Sequence, residues 1–233
     1  MAKTALVTGG SGGIGAGIAR KLASNGYQVT ITGRNEANLQ SVAEEIGGNY
    51  VVADMAQLSD LPKIAEQFAD SGLDALVNNA ATAHFLPIDS YTPELYDAQY
   101  NTNVRGPYFL IQALLPALRK RSGAITNISS QIVQGGGPYG ALYAGSKGAI
   151  NAFTRSLALE LAPEGIRVNV VAPGPTSTPL MNSMGEEMVE GTKAVLPFKR
   201  LGEPEEVAGV VLAQLECTNA TGAVWTVDGG MTA

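Results

Sequence analysis

The stretch Ala5-Leu6-Val7-Thr8-Gly9-Gly10-Ser11-Gly12-Gly13-Ile14-Gly15 decides the fold. A short β-favouring run passes into a loop that is almost all glycine. From Ile14 onward an apolar face recurs at Ile18 and Leu22, the period of an α-helix. Glycines between a strand and a helix permit a tight turn and let a ligand approach the backbone closely. The helix start behind them offers free N–H groups and a partial positive charge. This strand–loop–helix context predicts a site for the diphosphate of a nucleotide.

The same alternation continues outward. Strands are predicted at Val29 to Thr32, Tyr50 to Ala53, Ala75 to Val77, Ala124 to Ile128, Val168 to Val171 and Val224 to Val227. Helices fit between them, with Leu39, Val42, Ala43 and Ile46 on one face behind the capping residue Asn35. Further helices are predicted near 60–69, over 94–119 and over 147–162. The strands are short, apolar and non-alternating, as strands covered by helices on both faces should be. The fold class predicted is α/β, a Rossmann-like doubly wound parallel sheet of about seven strands in a single domain, 1–233. In such sheets ligands bind at the carboxyl ends of the strands.

Composition narrows the function. The chain has 233 residues, 28 of them glycine, yet only 15% are charged and 45% are hydrophobic. Chains of this kind bury a core rather than stay disordered. The net charge of −6 carries no electrostatic footprint for nucleic acid or anionic membrane. The basic run Arg119-Lys120-Arg121 reads first as the end of a helix, where cations offset the dipole. A lone cysteine, Cys217, and a lone histidine, His84, make a metal site unexpected. With no signal-like or membrane-spanning run, the expected location is the cytoplasm.

From Ser122 to Thr154 the only charged residue is Lys147, and Tyr143 lies four residues before it, on the same helix face. A cation near a phenol is expected to lower the tyrosine pKa and fit it for acid–base work. Ser129 and Ser130 end the preceding strand, where a hydroxyl can bond a carbonyl oxygen. Asn103 interrupts an amphipathic helix, where its amide can hold a water or orient the lysine.

Together the TGxxxGxG loop and the set Asn103, Ser130, Tyr143 and Lys147 resemble the short-chain dehydrogenase/reductase family. Ser130 is preferred to Ser129 because it lies thirteen residues before the tyrosine, and Tyr139 lacks a lysine four residues on. Asn78-Asn79-Ala80-Ala81, Arg167-Val168-Asn169, Pro173-Gly174, Thr178, Arg200 to Glu206 and Asp228-Gly229-Gly230 are similar to further motifs of that family, in order along the chain. Thr176 departs from the usual Ile or Val, at a position that acts largely through its backbone.

The resemblance implies a nicotinamide dinucleotide held by Gly9, Ser11, Gly13, Ile14, Gly15, Asp54, Asn78, Ala80, Tyr143, Lys147, Pro173, Gly174, Thr176 and Thr178. After the second strand stands Arg34 where a carboxylate would favour NAD, so NADP(H) is expected and NAD(H) is the second choice. The implied reaction is hydride transfer to or from a small carbonyl or secondary alcohol, with Tyr143 as general acid or base.

His84, Met181 and Met184, with Ser130 and Tyr143, are the expected substrate contacts, Phe85 beside His84 is a candidate border of the same pocket, and residues 176–200 are the expected lid. Met181, Met184 and Met188 fall at helical spacing. An acyl-carrier thioester is one substrate option, for which the Arg119–Arg121 run is a candidate contact. A non-catalytic NADP(H)-binding regulator and a dehydratase or epimerase are the alternatives. The family further implies a homo-oligomer, a tetramer or a dimer.

Overall fold

A computed structural model describes residues 2–233. Seven parallel strands form one sheet: β1 Lys3–Thr8, β2 Tyr27–Gly33, β3 Asn49–Val52, β4 Ala75–Asn78, β5 Ala124–Ile128, β6 Arg167–Pro173 and β7 Val224–Val227. Their order is β3-β2-β1-β4-β5-β6-β7, so the sheet reverses direction of growth between β1 and β4. That is the place where open α/β sheets leave a crevice at their carboxyl edge.

The helices are α1 Gly13–Ser24, α2 Glu36–Ile46, α3 Leu61–Glu66, α4 Pro93–Tyr100, α5 Gly106–Arg119, α6 Ile132–Gly135, α7 Ala141–Leu161, α8 Pro179–Asn182, α9 Glu186–Val195 and α10 Pro204–Glu216. Successive residues of β1 face opposite layers, as the pleat requires. Ala5 and Val7 pack with Ile18 and Leu22 of α1, whereas Leu6 packs with Leu110, Leu114 and Leu118 of α5. Asn35 caps α2 by accepting from the Asn38 N–H at 3.0 Å.

Two expectations about helices change. The single helix expected over 94–119 is interrupted by a π-helical turn at Asn101–Arg105, in which the Gly106 N–H reaches Asn101. The long helix expected from 147 begins at Ala141, so Tyr143 and Lys147 share its first two turns.

The glycine excess also has a second use. A Cβ on Gly15 would lie 2.1 Å from the carbonyl oxygen of Gly9, and one on Gly106 would lie 2.2 Å from that of Met55. Both glycines let a helix press against backbone of the same chain, not only against a ligand.

Candidate active site

The carboxyl ends of β1, β2, β4, β5 and β6 open into one cleft of about 840 Å³. Its floor begins at the glycine loop. The Thr8 hydroxyl accepts from the N–H groups of Asn79 and Ala80, each at 3.0 Å. The Asn79 amide donates to the carbonyls of Thr8 and Gly9 at 3.0 and 3.2 Å. These bonds fasten the loop to the end of β4 and leave Ser11, Gly13 and Ile14 lining the cleft. Arg34 is exposed where β2 ends, and Asp54 lies past the end of β3, both on the cleft wall. Asp54 spends one carboxylate oxygen on the Ala56 N–H at 2.9 Å, closing its own turn.

At the other end, Tyr143 and Lys147 project from α7. Ser130 and Tyr143 both line the cleft, and the Ser130 hydroxyl favours the ionised phenol. The Lys147 ammonium donates to the Ile128 carbonyl at 2.8 Å and stands 5.6 Å from the centre of the Tyr143 ring. Ser129 is buried and gives its proton to the Lys147 carbonyl at 3.2 Å. Tyr139 is 61% exposed. The structure therefore brings Ser130, rather than Ser129, to the phenol.

The expected lowering of the tyrosine pKa is not what this arrangement produces. Burial pushes the Tyr143 phenol up to about 12, only partly offset by the Ser130 hydroxyl. Burial likewise pushes Lys147 down to about 7. Desolvation penalises both charged forms and outweighs the attraction between them. Tyr143 is thus a protonated donor at neutral pH.

Lys147 also carries a consequence for stability. Between its folded pKa near 7 and its ordinary value near 10.5 the unfolded chain binds more protons, so this group adds stability as pH rises through that window. Urea unfolding at pH 7, 8 and 9 should show the wild type gaining relative to Lys147→Met, by at most about 1.4 kcal/mol per pH unit. Parallel slopes for the two proteins would contradict the depressed pKa.

Asn103 lies in the π-helical turn and is fully buried. Its amide donates to the Thr82 carbonyl at 2.8 Å and the Ser146 hydroxyl at 3.0 Å, and its oxygen accepts from the Thr82 N–H at 2.8 Å. The side chain expected to hold a water or orient the lysine instead ties the loop after β4 to α7. Asn103→Ala orphans these groups, and each buried one left unpaired costs about 1–3 kcal/mol. The urea midpoint should fall accordingly; an unchanged midpoint would remove this role.

Asn78 is corrected as well. It is buried and donates to the Asn127 oxygen at 2.8 Å, and Asn127 in turn donates to the Thr154 hydroxyl at 2.9 Å. Asn78 lies beneath the cleft, and Asn79 lines it. The pleat carries the signal for this: Ala75 and Val77 face one layer, Leu76 the other, so Asn78 must follow Leu76 inward.

Ala80, Gly174 and Pro173 are on the cleft wall, as is Thr178, which caps α8 by accepting from the Met181 N–H at 3.2 Å. Thr176 also lines the cleft; its hydroxyl donates to the Gly174 carbonyl at 2.9 Å, and its backbone bridges to Gly202. His84, Met181 and Met184 line the far lobe of the cleft. Met188 does not join them. The helix breaks at Gly185, where φ is +92°, and Met188 is 57% exposed on α9. Leu196 and Phe198 border a separate small cavity beside Gly229. The Arg119–Arg121 run lies at the opposite edge of the sheet: Arg119 pairs with Glu164, and Lys120 donates to the Ala69 carbonyl.

A nucleotide-type cleft at the switch point of a doubly wound sheet, with a Tyr-Ser-Lys cluster at one end, defines a class of α/β oxidoreductase. The family model described as enoyl-(acyl carrier protein) reductase matches residues 9–232. The chain is 36% identical to the 3-oxoacyl-[acyl-carrier-protein] reductase of Staphylococcus aureus, covering 99% of this chain and 98% of that one. Among solved structures it resembles a Pseudomonas aeruginosa RhlG/NADP active-site complex, with a TM-score of 0.94, 31% identity, and 99% and 96% of the two chains covered. A Brucella melitensis 3-ketoacyl-(acyl-carrier-protein) reductase complexed with NADH gives a TM-score of 0.94 at 31% identity, with 99% and 98% covered. The chain belongs to the short-chain dehydrogenase/reductase family and is an oxidoreductase.

Among the described residues no helix is long and apolar enough to cross a membrane, and no cluster of His, Cys, Asp and Glu could hold a metal ion.

Proposed function

We propose that this protein is an NADP(H)-dependent reductase of small carbonyl compounds, also able to oxidise the corresponding secondary alcohols. The observation that carries the reading is one continuous cleft with the glycine loop and Arg34 at one end and Ser130, Tyr143 and buried Lys147 together at the other. The volume of about 840 Å³ is of the size that holds a dinucleotide with a small substrate. Arg34 supplies the planar fork that pairs with a 2′-phosphate. Lys147 uses one N–H on Ile128, and in either protonation state it keeps at least one more for a ribose hydroxyl. The fit of residues to a nicotinamide dinucleotide is therefore good.

When bound, that nucleotide supplies or accepts the hydride. Ser130 donates to the carbonyl oxygen and orients it. Tyr143, protonated at neutral pH, delivers its proton as negative charge develops on that oxygen, which suits the reduction direction. Lys147 accompanies the phenol with a charge that can return on ligand binding. Asn103 is a positioning residue, acting through Thr82 and Ser146.

Absorbance at 340 nm across a panel of ketones with NADPH and NADH tests the reading; absence of turnover with both would overturn it. We also propose a homo-oligomer, because Tyr108, Phe109 and Leu159 leave α5 and α7 with exposed apolar surface. Light scattering that finds a monomer at micromolar concentration would refute that. A cytoplasmic setting fits both proposals.

A further inference from the structure

The far lobe of the cleft is built around a loop that has little regular structure but is held along its length. Asn103 takes both backbone groups of Thr82. Gln99, fully buried in α4, accepts from the His84 N–H at 3.0 Å. The Tyr91 hydroxyl donates to the His84 carbonyl at 2.7 Å, and the Leu86 N–H donates to the Tyr139 carbonyl at 3.1 Å. The residues on either side of Phe85 are thus both fastened. Its ring faces the Tyr143 ring, with centroids 5.7 Å apart and planes tilted by 55°. Across the lobe stand Leu180, Met181 and Met184.

Charge is distributed unevenly along this cleft. Arg34 and Asp54 belong to the ends of β2 and β3, two and three strands away from β4. Lys147 is 2% exposed and held on Ile128. Among the described residues, the side chains facing the lobe beyond Tyr143 include no Arg, Lys, Asp or Glu, and its ionisable groups are Tyr143 and His84.

We infer that the substrate lobe selects uncharged ketones or secondary alcohols bearing a flat or ring-shaped apolar group, with Phe85 as the residue that determines this specificity. The inference rests on the oxidoreductase reading and narrows its substrate class. A carbonyl bonded to Ser130 and Tyr143 places one substituent against the Phe85 face. An aromatic or alicyclic group there gains offset or edge contacts with a ring whose backbone is held on both sides. A carboxylate in the same place gives up its water and finds no cation in return. The methionines opposite adapt to the remaining outline. A short acyl thioester offers no ring to the Phe85 face and is disfavoured on that ground.

The test uses two probes that share one ketone, methyl 4-acetylbenzoate and 4-acetylbenzoate, at a pH above the titration range of histidine. The ester should exceed the carboxylate in kcat/KM by at least about tenfold. Phe85→Ala should lower the ratio of kcat/KM for the ester to that for 2-butanone by about 5- to 20-fold, with nucleotide affinity intact as the control for folding. Phe85→Tyr should retain most of the ester activity. Equal efficiency on the carboxylate, or on acetoacetyl-coenzyme A, would overturn the inference.

Calorimetric titration of the nucleotide-loaded protein with both probes separates lobe selectivity from turnover. Tighter binding of the ester without turnover would uphold the lobe assignment while the reductase reading fails. Equal binding of the two, or binding of neither, would overturn the assignment itself.

Discussion

Tyr143→Phe is expected to lower kcat for ketone reduction by about 10²- to 10⁴-fold, the range for loss of a positioned general acid. The ring is kept, so its contact with Phe85 and its place on α7 are kept too. Nucleotide affinity and the urea midpoint should hardly move, which separates this variant from a misfolded one. A phenol held near pKa 12 is a full donor across the physiological range. The wild-type reduction rate should therefore show no loss of the acid between pH 7 and 9, and a rate that falls over that range would contradict the raised pKa. Full turnover in Tyr143→Phe would end the assignment of this residue.

The second large effect concerns the opposite end of the cleft. Arg34→Ala should weaken NADPH by about 10- to 100-fold, the worth of a charge-assisted contact, and leave NADH little changed. The contrast between the two nucleotides is the readout, because a general disturbance of the loop would weaken both. Gly33, beside it, packs close to Ser11, so a Cβ there would sit 3.3 Å from the Ser11 oxygen. Substitutions at Gly33 would confuse loop geometry with phosphate recognition, and Arg34 is the cleaner probe. A wild type that prefers NADH, or a variant that weakens both equally, would reverse the cofactor reading.

The succession of strands and the glycine loop were legible because they depend on short-range pattern. Ala5 to Thr8 is apolar whichever layer covers it, and the glycines mark where that strand gives way to a helix. Tyr143 and Lys147 were legible because a helix spaces them and because a lone charge in 33 residues stands out. The features that were not legible depend on depth. Whether the lysine's charge or its desolvation dominates is set by the packing around Ile128 and Ser130, not by spacing. Asn78 was readable as inward from the pleat of β4, whereas the methionine stripe lost Met188, though not Met181 or Met184, because the helix breaks at Gly185. Phe85, beside His84 after the fourth strand, could be placed near the substrate pocket from sequence, but not ranked above its neighbours. Its importance comes from Gln99, Tyr91 and Tyr139, residues 6 to 54 positions away that converge only in the fold.

The π-helical turn has a consequence for how this chain tolerates insertions and deletions. An α-helix advances about 100° per residue, and the turn at 101–105 holds one residue more than an α-helical path would. Gln99 lies before it and Asn103 within it, and both reach the same loop. Deleting one residue there would relax the turn into ordinary helix but swing the two side chains about 100° apart. One of them would then lose the loop, and the Phe85 wall would lose an anchor. The near side of the substrate lobe is therefore expected to accept a substitution at 101–105 more readily than a deletion there.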